Sequence, residues 1–228
     1  MDLQIALLLG QDGITNGAIY ALLSLALVLV FAVTRVIFIP QGEFVAFGAL
    51  TLASFQTGKT PGTLWLLIGA GVLVALVDIT VALRSGTFKR IPYIVGWNLL
   101  YPAVAAAAVF FLKPGELPLL AQIVLALALV VPLGPMMYRL AFQPLAEASV
   151  LVLLIVSVAV HLALVGLGLL FFGAEGSRTP AFSDASFDLG LVKVNGQTLW
   201  VVGASFLLIV VLFLFFERTI YGLSLIHI

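Results

Sequence analysis

An apolar run long enough to cross a membrane, followed at once by a second run broken near its start, limits this chain more than any other feature. Gly13 to Val33 reads GITNGAIYALLSLALVLVFAV and matches the roughly 20 apolar residues a helix needs to span a bilayer core. The next run, Val36 to Gln56, carries Pro40, Gln41, Gly42 and Glu43 near its start. Proline lacks an N–H and its ring clashes with the carbonyl four residues back, so a new helix is predicted to begin at Pro40, with Glu43 near the positive end of its dipole. Irregular backbone at membrane depth is tolerated only where protein buries it or it lines water, and broken helices of this kind form binding sites in many transporters. Ile39 to Glu43 is therefore the leading candidate locus, with Gln41, Gly42 and Glu43 as solute-path residues. The competing reading places Glu43 at the membrane surface, at the end of an ordinary helix.

Within the first run, Asn16, Tyr20 and Ser24 fall at i, i+4 and i+8 on one helical face,. They form a hydrogen-bonding stripe and join the candidate solute path. Gly13, Gly17 and Ala21 make an adjacent stripe of small residues, which is expected to pack closely against a neighbouring helix.

Composition extends the argument to the whole chain. With 63% hydrophobic and 9% charged residues, and a mean hydropathy of +1.28, there is too little polar surface for a water-soluble domain. The ten basic and ten acidic residues cancel, so no polybasic patch points to nucleic acid. No cysteine is present, which excludes disulfides and thiolate metal sites. The opening residues Met1, Asp2, Leu3 and Gln4 lack the basic region and cleavage site of a signal peptide, so the N-terminus is expected to be retained.

The expected fold is an all-α polytopic membrane protein of about seven apolar segments, the second of them broken. Beyond it come Thr63 to Leu83, Ile91 to Leu112 interrupted by Asn98 and Pro102, Leu117 to Tyr138 bent by Pro132 and Pro135, Ala148 to Phe172, and Leu199 to Phe216,. The link from Gly173 to Thr198 is the one sizeable aqueous segment, and its alternation around Asn195-Gly196 is a hairpin-turn signal. An outside N-terminus puts Arg35, Arg84, Lys89, Arg90, Arg139 and Arg218 in the cytoplasm, against Lys59, Lys113, Arg178 and Lys193 outside. Cytoplasmic loops favour basic residues, and the bias sharpens once the long link is discounted. The hairpin-bearing link is then external.

Asp78 reads as a boundary residue or an interhelical hydrogen-bond partner rather than a proton carrier. His161 lies midway through an apolar helix, where a titratable group usually faces the bundle interior; a packing histidine is weighed against a solute contact. Neither a metal site nor a Ser-His-Asp arrangement has suitable spacing, so no catalytic residues are assigned and the chain is not expected to be an enzyme. The absence of G-x-x-x-x-G-K-[ST] excludes nucleotide binding of the P-loop type.

GITNGAIYAL followed by QGEFVAFGAL resembles the N-terminal signature of the Liv-type membrane permeases of branched-chain amino-acid ABC importers. Those permeases typically read N-G-L-T-x-G-x-I-Y-A-L and then N-F-A-H-G-E-x-x-M-x-G. The chain matches at Gly13, Thr15, Gly17, Ile19, Tyr20, Ala21 and Leu22, and keeps Gly42, Glu43 and Gly48, while FIPQ at Phe38 to Gln41 departs from the pattern. YRLAFQPLAEASVLVLLIVSVAVHL and FFERTIYG are further points of similarity. The resemblance implies a subunit of the bacterial inner membrane without a cofactor of its own. Its implied partners are a second permease, two ATP-binding subunits that use ATP, a periplasmic solute-binding protein and the lipid bilayer. It implies branched-chain or related amino acids as solutes, with urea or short amides as the alternative. A membrane-embedded enzyme or scaffold built on Glu43, Asp78 or His161 is the reading from another class.

Resembling permeases continue beyond the position of Gly222, so residues 1–222 are expected to be an incomplete transmembrane domain. Leu223 to Ile228, LSLIHI, reads as the translation of a transposon-end adapter used in sequencing libraries. It is expected to be non-native, and His227 then carries no functional weight.

Overall fold

Hydrocarbon offers no water to satisfy backbone N–H and C=O groups, so an apolar segment that crosses it closes its hydrogen bonds internally as a helix. In the computed structural model, residues 3–179, 181, 183, 185–188 and 193–218 are described. Among them, six helical stretches are long and apolar enough to span a membrane: 5–34, 62–84, 91–111, 119–145, 150–172 and 196–218. The chain is an all-α, multi-pass membrane protein. The second apolar segment is the exception, because its helix α2 (Gln41–Gln56) has only 16 residues. At 1.5 Å per residue that is roughly 24 Å, short of a hydrocarbon core about 30 Å thick.

The chain divides into two units, residues 1–38 with 180–228, and residues 39–179. In the first, α1 (Leu3–Thr34) runs for 32 residues, starting ten positions before the Gly13 at which the apolar pattern suggested it. Glycine does not break a helix whose backbone has no alternative partner, and Thr15 and Thr34 fold their hydroxyls back onto the carbonyls of Gln11 and Val30, at 2.9 and 2.7 Å,. α1 packs along α9 (Gly196–Arg218), and Gln11 Nε2 donates to Thr198 Oγ1 at 3.3 Å. Strands β1 (Ser186–Asp188) and β2 (Lys193–Asn195) pair antiparallel, with Phe187 opposite Val194. The hairpin is present, but its turn is not at Asn195-Gly196: Asn195 ends β2 and Gly196 begins α9. The Gly196 N–H donates to the Ala185 carbonyl at 2.7 Å. A Cβ there would lie 3.0 Å from that same oxygen, so glycine serves a close backbone approach rather than a reversal.

The second unit is built on α3 (Gly62–Arg84). Its Leu64, Leu67 and Val74 meet Phe55 of α2, Ala105 and Val109 of α5 (Tyr101–Phe111), Ala126 and Leu129 of α6 (Leu119–Val130), and Leu133 and Met136 of α7 (Leu133–Met137). The helix α4 (Ile91–Val95) leads into α5 through a wide π turn, Gly96–Leu100. Prolines shape these elements. Pro102 brings no N–H to the carbonyl of Asn98, and that oxygen lies where a side chain on Gly71 would be, 2.2 Å from a built Cβ,. Pro132 leaves the Ala128 carbonyl without a helical donor, and the Tyr101 hydroxyl takes its place at 2.8 Å. The bend expected at Pro132 is the break between α6 and α7. The fully buried hydroxyls of Thr51 and Thr63 hydrogen-bond across α2 and α3, and Thr51 also reaches the Phe47 carbonyl at 2.5 Å. The last helix of this unit, α8 (Val150–Phe172), is capped by the Ser149 hydroxyl.

The LSLIHI reading, with His227, lies outside the described residues. Gly71→Ala is expected to destabilise the protein by about 1–3 kcal/mol through overpacking against the Asn98 carbonyl. Gly69→Ala, where nothing lies within 4 Å of the added Cβ, is expected to be neutral. Denaturant titration of both variants in detergent micelles compares them directly.

Candidate functional site

The break between the first two apolar runs begins at Arg35. Its N–H donates to the Phe31 carbonyl at 2.8 Å, and its φ of 57° turns the chain into the left-handed region. That conformation costs a non-glycine residue roughly 1–2 kcal/mol and ends α1 in the manner of a C-cap. Thr34 Oγ1 then accepts from the Val36 N–H at 3.2 Å. The next helix starts five residues on, with buried Pro40 as its N-cap and Gln41, Gly42 and Glu43 as its first turn.

Inside the second unit, α8 supplies what the break needs. Ser157, fully buried, accepts a hydrogen bond from the Ile39 N–H at 2.9 Å. One turn further along the same face, His161 Nδ1 lies 2.8 Å from Glu43 Oε1, a close polar contact without the alignment of a hydrogen bond. Both side chains are largely shielded, 15% exposed for Glu43 and 34% for His161. Glu43 Oε2 is buried and, among the described residues, has no hydrogen-bond partner. Gly42 is exposed, with open space around it. The same α8 face continues to Gly168, where Phe47 comes within 3.1 Å of a built Cβ, and to Phe172, whose ring stacks on Phe47 at 6.0 Å. Serine, histidine, glycine and phenylalanine on one helical stripe thus seat α2 from its first turn onward.

Other expected site residues are placed differently. Asn16, Tyr20 and Ser24 are exposed on α1, in the first unit. Gly13 and Gly17 have nothing within 4 Å of an added Cβ, and Ala21 is exposed; within the described residues the small-residue stripe packs against no helix. Asp78 is an interhelical partner, bound by both Nε and Nη2 of Arg139 at 2.5 Å. Concave surfaces of the second unit lie at the 57–60 and 113–116 turns and along an apolar groove between α3 and α8; neither includes Glu43. The link from His161 to Glu43 escapes sequence reading because the residues are 118 positions apart, a separation that follows from the numbering alone. Their shared property, a titratable group in an apolar run, was the available signal.

Comparison with known proteins gives no match: no family model, no curated protein and no solved structure aligns with the chain.

Ser157→Ala removes the acceptor of the Ile39 N–H. Losing an intramolecular hydrogen bond costs about 0.5–1.5 kcal/mol, so amide exchange at Ile39 is expected to accelerate severalfold, while exchange in the middle of α3 stays unchanged. Hydrogen–deuterium exchange with mass spectrometry in micelles reads both.

Proposed function

We propose that this chain is the transmembrane permease subunit of a bacterial inner-membrane ABC importer for branched-chain or related amino acids. The observation that carries this reading is the interruption between α1 and α2, where irregular backbone leads into a helix start beside a shielded carboxylate in a multi-pass protein. The positive end of the α2 dipole suits a carboxylate, and Glu43 suits an ammonium or amide, so one short segment offers complementary electrostatics to both ends of a zwitterion. The similarity of GITNGAIYAL and QGEFVAFGAL to Liv-type permeases supports the same reading and supplies the proposed partners: a second permease, two ATP-binding subunits and a periplasmic solute-binding protein. The proposed orientation has the N-terminus and the β-hairpin outside. Asn16, Tyr20 and Ser24 would border the path, a role consistent with polar groups on an open helix face, which are costly against lipid.

Affinity purification of the tagged protein from its native membranes is expected to recover ATP-binding subunits, and vesicles containing the assembly are expected to take up labelled leucine only with ATP. Glu43→Gln removes the charge and is expected to lower uptake at least tenfold with normal membrane abundance; unchanged uptake would assign Glu43 to structure. Orientation is checked separately. A membrane-impermeant maleimide is expected to label Ser186→Cys, but not Ser85→Cys, in intact spheroplasts, and the reverse pattern would invert the topology.

A further inference from the structure

The two oxygens of Glu43 have different surroundings. Oε1 lies 2.8 Å from His161 Nδ1, a close contact without hydrogen-bond alignment, whereas Oε2 is buried without a donor among the described residues. A buried carboxylate oxygen left unpaired is unfavourable, and such groups are normally satisfied by protein, water or ligand. The His161 ring is itself placed by α8, which is tied one turn earlier to the backbone of the break through Ser157 and Ile39. Two contacts from one helical face therefore hold the first turn of α2, one by its backbone and one by its carboxylate.

We propose that His161 is a positioning residue for Glu43: by occupying Oε1 it fixes the carboxylate at the start of α2 and reserves Oε2 for an N–H of the transported solute. This rests on the reading of Glu43 as solute-facing. The inferred solute class is a small molecule with an ammonium or amide donor. His161 acts through Glu43 and needs no contact with the solute. A glutamate free to rotate would spread its charge over several rotamers, and fixing it removes that entropy loss from the binding step.

The test uses the protein assembled with its partner subunits in membrane vesicles, with labelled leucine and labelled urea as probes. His161→Leu removes the imidazole at similar bulk. It is expected to raise KM for the transported probe about tenfold, with kcat within a factor of two and unchanged abundance, because the Glu43 carboxylate loses the neighbour that holds its rotamer. His161→Gln, which keeps an N–H donor, is expected to recover most of that loss. Glu43→Gln with His161→Leu is expected to be no worse than Glu43→Gln alone, because a residue acting only through Glu43 has nothing left to position. The proposal is overturned by an unchanged KM in His161→Leu, by a loss confined to abundance or assembly, or by a double variant whose defects multiply. Normal uptake in Glu43→Gln is a different failure: it removes the solute-facing reading and the role of His161 with it. A defect in Glu43→Gln beside normal kinetics in His161→Leu leaves the transport reading standing and refutes the positioning role alone.

Discussion

The need to satisfy every backbone polar group away from water governs this structure more than any single contact. It makes helices of the long apolar runs, and it turns each interruption into a question of where the freed groups go. Pro132 frees the Ala128 carbonyl, and Tyr101 from a neighbouring helix donates to it. The break before α2 leaves the Ile39 N–H outside any helix, and Ser157 accepts from it. At Arg35 the left-handed turn closes the end of α1 with a bond to Phe31. A partner near each break lets an apolar segment change direction inside a membrane without exposing backbone to lipid.

Side-chain charges obey the same rule at higher stakes. A lone ionised group at the bilayer centre costs about 3 kcal/mol on insertion scales, so acids and bases within apolar helices are expected in pairs. Asp78 has Arg139 and Glu43 has His161. The pairs differ in how fully they close. The Asp78 carboxylate oxygen is gripped by two guanidinium nitrogens in a bond network suited to joining α3 to the turn after α7,. Glu43 Oε1 has only the unaligned His161 nitrogen beside it, and its Oε2 is buried with no hydrogen-bond partner among the described residues.

Small residues play two roles that the sequence does not distinguish. Gly62 and Gly71 sit where a side chain would strike Phe171 or the Asn98 carbonyl, and Gly168 leaves space for Phe47; these glycines let helices approach closely. Gly10, Gly13 and Gly17 form a similar pattern on α1 but, among the described residues, nothing lies within 4 Å of an added Cβ at any of them. Spacing identifies a stripe, while only the fold says whether another helix lies against it.

The sequence by itself determined that the chain is helical and membrane-embedded, and roughly where each span and interruption falls, because apolar run length and the missing N–H of proline act locally. Pro40, Pro102 and Pro132 were legible for that reason. So was the hairpin, though not its turn: Gly196 sits in a close contact with Ser183 and Ala185 that only the fold brings about. Tertiary structure alone decided which polar groups meet. Nothing in the spacing of Glu43 and His161, or of Asp78 and Arg139, or of Ile39 and Ser157, announces a pairing, since each joins separate elements across long stretches of chain. In hydrocarbon the identity of the partner follows from how helix faces pack, and that packing is a property of shape, not of local pattern.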